Sequence, residues 1–234
     1  MMEKSSSSGV LIALTDCTDP QKEKEFNQWY NGVLIPSMKE LGFIGKVSRY
    51  ENVLSNSPTF LGVPKYLALW EIKHNDLKKA FEEILERDAQ LKADGKSFND
   101  MVRKVDTMYQ QICPKILTER SNREVQGVYI VLNYNTDPAK EEEYNKWYNE
   151  KHAPETLDLG FYDSAIRYKI VDPNLPEPHQ IPYLSIYETS MDPLEARTKL
   201  ISFRWKWEPD PIWTDLLGLN YTGGYRLIYT APED

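Results

Sequence analysis

Two cysteines in 234 residues, Cys17 and Cys113, are too few for a disulfide framework and form no CxxC pair. A small disulfide-stapled secreted scaffold is excluded, and a reducing, cytoplasmic setting is expected. Histidine is scarce as well: His74, His152 and His179 show no HxxxH spacing and join no Cys/His cluster, so no metal site is expected. No apolar run approaches the ~20 residues that a bilayer crossing needs. Residues Met1 to Ser8 are polar and serine-rich without a hydrophobic signal core, and they read as a disordered lead-in. Basic charge is also lacking. With a net charge of −8 and no basic stripe, nucleic acid is not an expected partner. No GxSxG elbow, GxGxxG loop or GxxxxGK[ST] loop occurs, which disfavours a serine hydrolase and any nucleotide dependence. No cofactor is called for.

Aromatics, by contrast, are abundant. Six Trp and fifteen Tyr exceed what a core of this size needs, and such a surplus often lines a pocket for a planar, greasy ligand. The chain also repeats itself at a spacing of 118 residues. Gly9 to Tyr50 aligns without a gap on Gly127 to Tyr168, with twenty identities. Average composition predicts roughly two or three. The divisions that follow are a first repeat over 9–117, a polar linker over 118–124 and a second repeat over 125–234.

Each repeat reads strand, helix, strand, strand, helix, strand. Val10 to Leu14 and Val128 to Leu132 are short apolar strands ending at Thr-Asp-Pro. Asp19-Pro20 and Asp137-Pro138 read as helix starts, Asp as N-cap and Pro where no N–H is needed. Phe26, Trp29, Tyr30, Val33 and Leu34 then form one apolar face, matched by Tyr144, Trp147, Tyr148, Lys151 and His152. Later strands are expected over 43–53 and 66–72, and over 161–171 and 183–189. Second helices are expected over 76–92 and 192–204, and closing strands over 107–117 and 221–230. The order βαββαβ is that of a ferredoxin-like α+β unit, whose antiparallel sheet has helices on one face only. Two copies can bury the bare faces against each other inside one chain.

Residues 25–50 and 143–168 carry F/Y-N-x-W-Y-N-x-x-x-x-P, then L-G-F and R-Y. This pattern resembles the dimeric α/β-barrel superfamily, particularly its EthD-like members, in which W-Y-x-x-x-H-x-P precedes P-G-F and R-Y. The resemblance implies a tandem fusion whose two sheets pack into an intramolecular α/β barrel, a pseudo-dimer open to further homodimer formation. It also implies ligands between sheet and helices, and cofactor-independent monooxygenase, polyketide cyclase or lactone isomerase activity, or in some members haem binding. The motif histidine corresponds to His152, whereas the first copy has Leu34.

The repeat acts as an internal control for the chemistry. Since the scaffold accepts Leu34, nothing in the fold demands an imidazole at position 152, and His152 is the candidate general acid/base. Arg167 and Tyr168 are candidate partners for a developing oxyanion, although Arg49-Tyr50 in the other copy speaks equally for a structural role. Candidate substrate-binding residues are Trp147, Tyr148, Tyr183 and Tyr187, together with Phe203, Trp205, Trp207 and Trp213, which have no first-repeat counterparts. The expectation is proton-transfer chemistry, of cyclase, isomerase or lyase type, on a hydrophobic aromatic or polyketide-like molecule. A cofactor-free or haem-linked monooxygenase and a non-catalytic binding or interaction protein are the alternatives. The first repeat is then mainly scaffold.

Overall fold

The computed structural model describes residues 8–54, 64–176, 179–204 and 215–233. Each half opens with an apolar strand, β1 (Ser8–Cys17) and β6 (Gly127–Asn135). Asp19 and Asp137 then cap the turns that follow, accepting from the backbone N–H of Gln21 at 2.9 Å and of Ala139 at 3.1 Å. Helices α1 (Glu23–Trp29) and α4 (Glu141–Trp147) each run into a wide π turn, Tyr30–Leu34 and Tyr148–His152, before α2 (Ile35–Lys39) and α5 (Ala153–Asp158). Pro36 and Pro154 offer no N–H to the preceding turn and crowd its carbonyls, which favours this widening. The π turn shifts the helical phase. Lys151, expected on the inward face, is therefore exposed, while Leu34 and His152 are buried. Gly42 and Gly160 leave these helices with φ of 77° and 80°, a conformation that suits glycine.

The first half continues through β2 (Ile44–Asn52), β3 (Tyr66–Lys73), α3 (Leu77–Ala93), β4 (Met101–Gln111) and the short β5 (Ile116–Leu117). The second continues through β7 (Ser164–Ile170), β8 (Tyr183–Thr189), α6 (Pro193–Arg204) and β9 (Leu217–Ala231). The closing strands start earlier than expected, at Met101 and Leu217. Each carries one extra residue against its partner strand, Lys104 in β4 opposite β1 and Asn220 in β9 opposite β6, where strict alternation fails. Thr118–Glu124 is anchored rather than loose: the Thr118 N–H donates to the Asp163 carbonyl at 3.0 Å, and Arg120 Nε to Asp163 Oδ1 at 2.9 Å.

The sheet is antiparallel throughout. Its order is β4-β1-β3-β2 in the first half and β9-β6-β8-β7 in the second. Strand β2 pairs with β9, and β4 with β7, so the eight long strands form a closed circuit with each half supplying the edge the other lacks. Alternation along the strands then sorts the side chains. One face, with Ile12, Leu67, Ile130, Leu184 and Tyr225, forms an inner core shared by both halves. The opposite face packs on helices in two separate cores, around Phe26, Tyr30 and Trp70 and around Tyr144, Tyr148 and Tyr187.

Candidate functional site

A partly open cavity of about 60 Å3 lies between the second half's sheet and its helices. A buried water takes roughly 10–15 Å3 by this measure, so the enclosed part alone has room for about four waters, and the cavity continues outward through its open side. Tyr129 and Val131 of β6, Tyr187 of β8, and Leu217, Leu219 and Thr222 of β9 form its floor. Tyr148 and His152 of the π turn, Thr156 of α5, and Leu200 and Ile201 of α6 form its walls. Pro154 helps set this wall, because the π turn it favours brings His152 round to the cavity.

His152 is held by two rings. Its imidazole stacks on Trp147, with centroids 4.8 Å apart and planes 15° from parallel, and meets Tyr148 edge-on at 4.8 Å. Thr156 Oγ1 donates to the His152 carbonyl one turn back, at 2.8 Å, which leaves its lone pairs for the cavity. The Tyr187 hydroxyl lies near those of Tyr148 and Thr156 without good hydrogen-bond geometry to either, and burial raises its pKa well above the ordinary phenol value.

Of the other sequence candidates, Tyr148 and Tyr187 line the cavity. Trp147 does not line it but backs His152, on which it stacks. Arg167 is buried beneath Tyr148, its guanidinium carbon 3.9 Å from the ring centroid, and lies behind the cavity wall. Tyr183 sits further along β8, donating to Glu141 at 2.5 Å and accepting from Asn145 at 2.9 Å; burial and then Glu141 push its pKa up to about 12. Tyr168 is a correction. Next to Arg167 on a pleated strand, it points the other way and packs on the inner core with Tyr50, so it cannot act with His152. Phe203 is another: it packs on Phe161 with ring centroids 6.4 Å apart, beside Thr198, Lys199 and Ser202, and does not line the cavity. Trp205, Trp207 and Trp213 lie outside the described residues. Tyr129, Thr156 and Thr222 were missed by sequence reasoning. The first two replace Leu11 and Met38 in the repeat alignment, a change in polarity that could have flagged them.

The first half has a smaller cavity, about 30 Å3, at the matched place. Leu11, Ala13, Tyr30, Leu34, Met38 and Trp70 stand where the second half has Tyr129, Val131, Tyr148, His152, Thr156 and Tyr187. On β4, Arg103 pairs with Asp88 at 2.6 Å and Asp106 at 3.3 Å, filling that cavity's mouth with an ion-pair network. The second half has the uncharged Leu219 and Thr222 at the positions of Arg103 and Asp106. Among the described residues no group of three His, Cys, Asp or Glu side chains could hold a metal ion, and no helix is long and apolar enough to cross a membrane.

Solved structures of similar shape are an anthrone oxidase-like protein (TM-score 0.58, 12% identity, covering 97% of this chain and 94% of that one) and a chlorite dismutase variant from Candidatus Nitrospira defluvii (TM-score 0.57, 10% identity, covering 96% and 92%). A dye-decolorizing peroxidase from Bacteroides thetaiotaomicron follows, with a TM-score of 0.54 and 10% identity over 97% of this chain and 93% of that one. The fold is that of the ferredoxin-like α+β barrels. At these identities the likeness is one of fold alone. No protein-family model matches the chain. In sequence, it is 36% identical over 64 residues to core atranone cluster protein 1 of Stachybotrys chlorohalonatus, a match covering 27% of this chain and 26% of that protein.

Proposed function

We propose that this chain is a cofactor-independent enzyme that moves a proton on a hydrophobic, aromatic or polyketide-like small molecule. His152 is its general acid and base. The observation that carries this reading is the matched pair of cavities: the same turn presents Leu34 to one and His152 to the other. Trp147 and Tyr148 fix the imidazole in an apolar surround, and an imidazole can take and return a proton near neutral pH. Cyclase, isomerase and lyase outcomes share that first step. The two halves are read as an EthD-like pseudo-dimer whose first half is scaffold.

An oxygenase variant, in which the carbanion meets dioxygen, is favoured by the fold shared with an anthrone oxidase-like protein. A carrier with the same cavity and no turnover is the contrasting reading.

The test is proton exchange. Anthrone in deuterated buffer without oxygen should lose its methylene proton signal faster with the protein than without it. His152→Gln should reduce the rate to that of buffer. Equal exchange by the variant would sink His152 as the base, and ligand binding with no exchange in either protein would favour the carrier. Admitting air and following quinone absorbance separates the oxygenase variant from the others.

A further inference from the structure

Beneath the cavity, four buried polar atoms have no hydrogen-bond partner among the described residues: Nε and Nη2 of Arg167, Oγ of Ser185 and the hydroxyl of Tyr187. None of these residues is more than 2% exposed. Each such orphan costs about 1–3 kcal/mol, so a run of them in one place calls for a reason. The strand register gathers them. Arg167 stands opposite Ser185 across β7 and β8, and Ser185 opposite Val131, which forms cavity floor. Tyr187 follows Ser185 by two residues on the same face of β8. A polar path thus runs from a buried guanidinium to the cavity.

The first half shows that the fold does not require this arrangement. Arg49, the match of Arg167, donates from Nη1 to Asn31 at 2.7 Å and from Nη2 to Asn27 at 2.8 Å, and its cross-strand neighbour is Ala68. Arg167 donates only from Nη1, to Asn149 at 2.7 Å, while Oδ1 of Asn145, the match of Asn27, goes without a donor. No carboxylate among the described residues pairs with Arg167, so its charge acts on its surroundings uncompensated. Tyr187, with its pKa raised by burial, keeps its proton and can serve as a donor.

We infer that the ligand of this cavity carries a ketone or phenol oxygen that becomes an oxyanion, and that Tyr187 donates a hydrogen bond to it. Ser185 and Arg167 make no hydrogen bond to Tyr187; the guanidinium charge and the Ser185 hydroxyl dipole act through space on the same oxygen, as positioning residues. The inference rests on the second-half cavity being the ligand site and names the substrate class for it. When His152 takes the proton from the carbon beside a carbonyl, the electron pair of that C–H bond moves toward the carbonyl oxygen. The oxygen gains the charge, His152 holds the proton, and Tyr187 supplies a hydrogen bond without giving up its own. Such preorganised donors act most strongly where water is excluded.

The test uses 4-nitrophenol, whose phenol and phenolate absorb at different wavelengths, titrated with the intact protein. The phenolate should bind about tenfold more tightly than the phenol, a downward shift of about one pKa unit for the bound probe. Tyr187→Phe should erase that preference, and Ser185→Ala, a small change that leaves the core filled, should weaken it about threefold. Proton exchange on anthrone by the unaltered protein reads the base without reference to this preference, so failure of the base and failure of the oxyanion site are separable. Equal binding of phenol and phenolate by the unaltered protein overturns the inference, as does a preference that survives in Tyr187→Phe.

Discussion

Asp163 stands between α5 and β7, where its carboxylate ties two other segments together. Its Oδ1 accepts from Arg120 Nε at 2.9 Å, its Oδ2 from the Ser190 N–H at 2.5 Å, and its own carbonyl from Thr118 Oγ1 at 2.9 Å. Asp163→Ala leaves the Ser190 N–H without its acceptor and frees the partly exposed Arg120, and should lower stability by about 1–2 kcal/mol, read as an earlier midpoint in urea. Glu141 gives a pH signature. Hydrogen bonds from Lys169 at 2.6 Å and Tyr183 at 2.5 Å hold its carboxyl below the ordinary range. A depressed carboxylate stabilises the fold above its unfolded pKa of about 4.3, and the contribution is lost as pH falls through the folded value. Below about pH 4, Glu141→Gln should therefore show a flatter decline of Tm than the unaltered protein. The effect is small because this pair is largely solvated. At this scale the sequence was informative where the two repeats differ. His152 and Tyr187 stand opposite Leu34 and Trp70, and both reach the cavity. It misled where neighbours in sequence part company in space, as Arg167 and Tyr168 do across the pleat.

Among the elements, the π turn and the seating of α6 decide the cavity's shape. Asp192 caps α6 by accepting from the N–H groups of Leu194 and Glu195, at 3.0 and 3.1 Å, and binds Arg226 of β9 at 2.6 Å. Asp192→Ala should cost about 1 kcal/mol of stability. It should also loosen the wall made by Leu200 and Ile201, weakening binding of the nitrophenol probe. Gly127, where β6 runs under the start of α6, is more demanding. A Cβ there would lie 2.2 Å from the Tyr225 carbonyl oxygen and 2.3 Å from Pro193 Cγ. At the matched Gly9 the close atoms are the mobile methyls of Leu77. Gly127→Ala should thus cost about 2–3 kcal/mol, and Gly9→Ala distinctly less, in parallel denaturation curves. Element order was legible from apolar periodicity and the Asp-Pro starts. The starts of the closing strands were not, because the bulges at Lys104 of β4 and Asn220 of β9 break the apolar-polar alternation, and only pairing with β1 and β6 extends the strands past them.

In the whole molecule, neither half completes its own sheet. The β2–β9 and β4–β7 pairings join them, and the inner core draws Ile12 and Leu67 from one half and Ile130 and Leu184 from the other. The halves should therefore unfold together. Urea transitions followed by tryptophan fluorescence and by far-UV circular dichroism are expected to coincide, and two separated steps would contradict a shared core.

The sequence by itself determined the duplication, the element order and the one position where an imidazole replaces a leucine, because these are local or repeat in register. Only the tertiary structure decided which side chains share a face with His152. That depends on a π turn that shifts the helical phase, on pleats that separate adjacent residues, and on strand register that brings Arg167, Ser185 and Tyr187 together beneath one cavity.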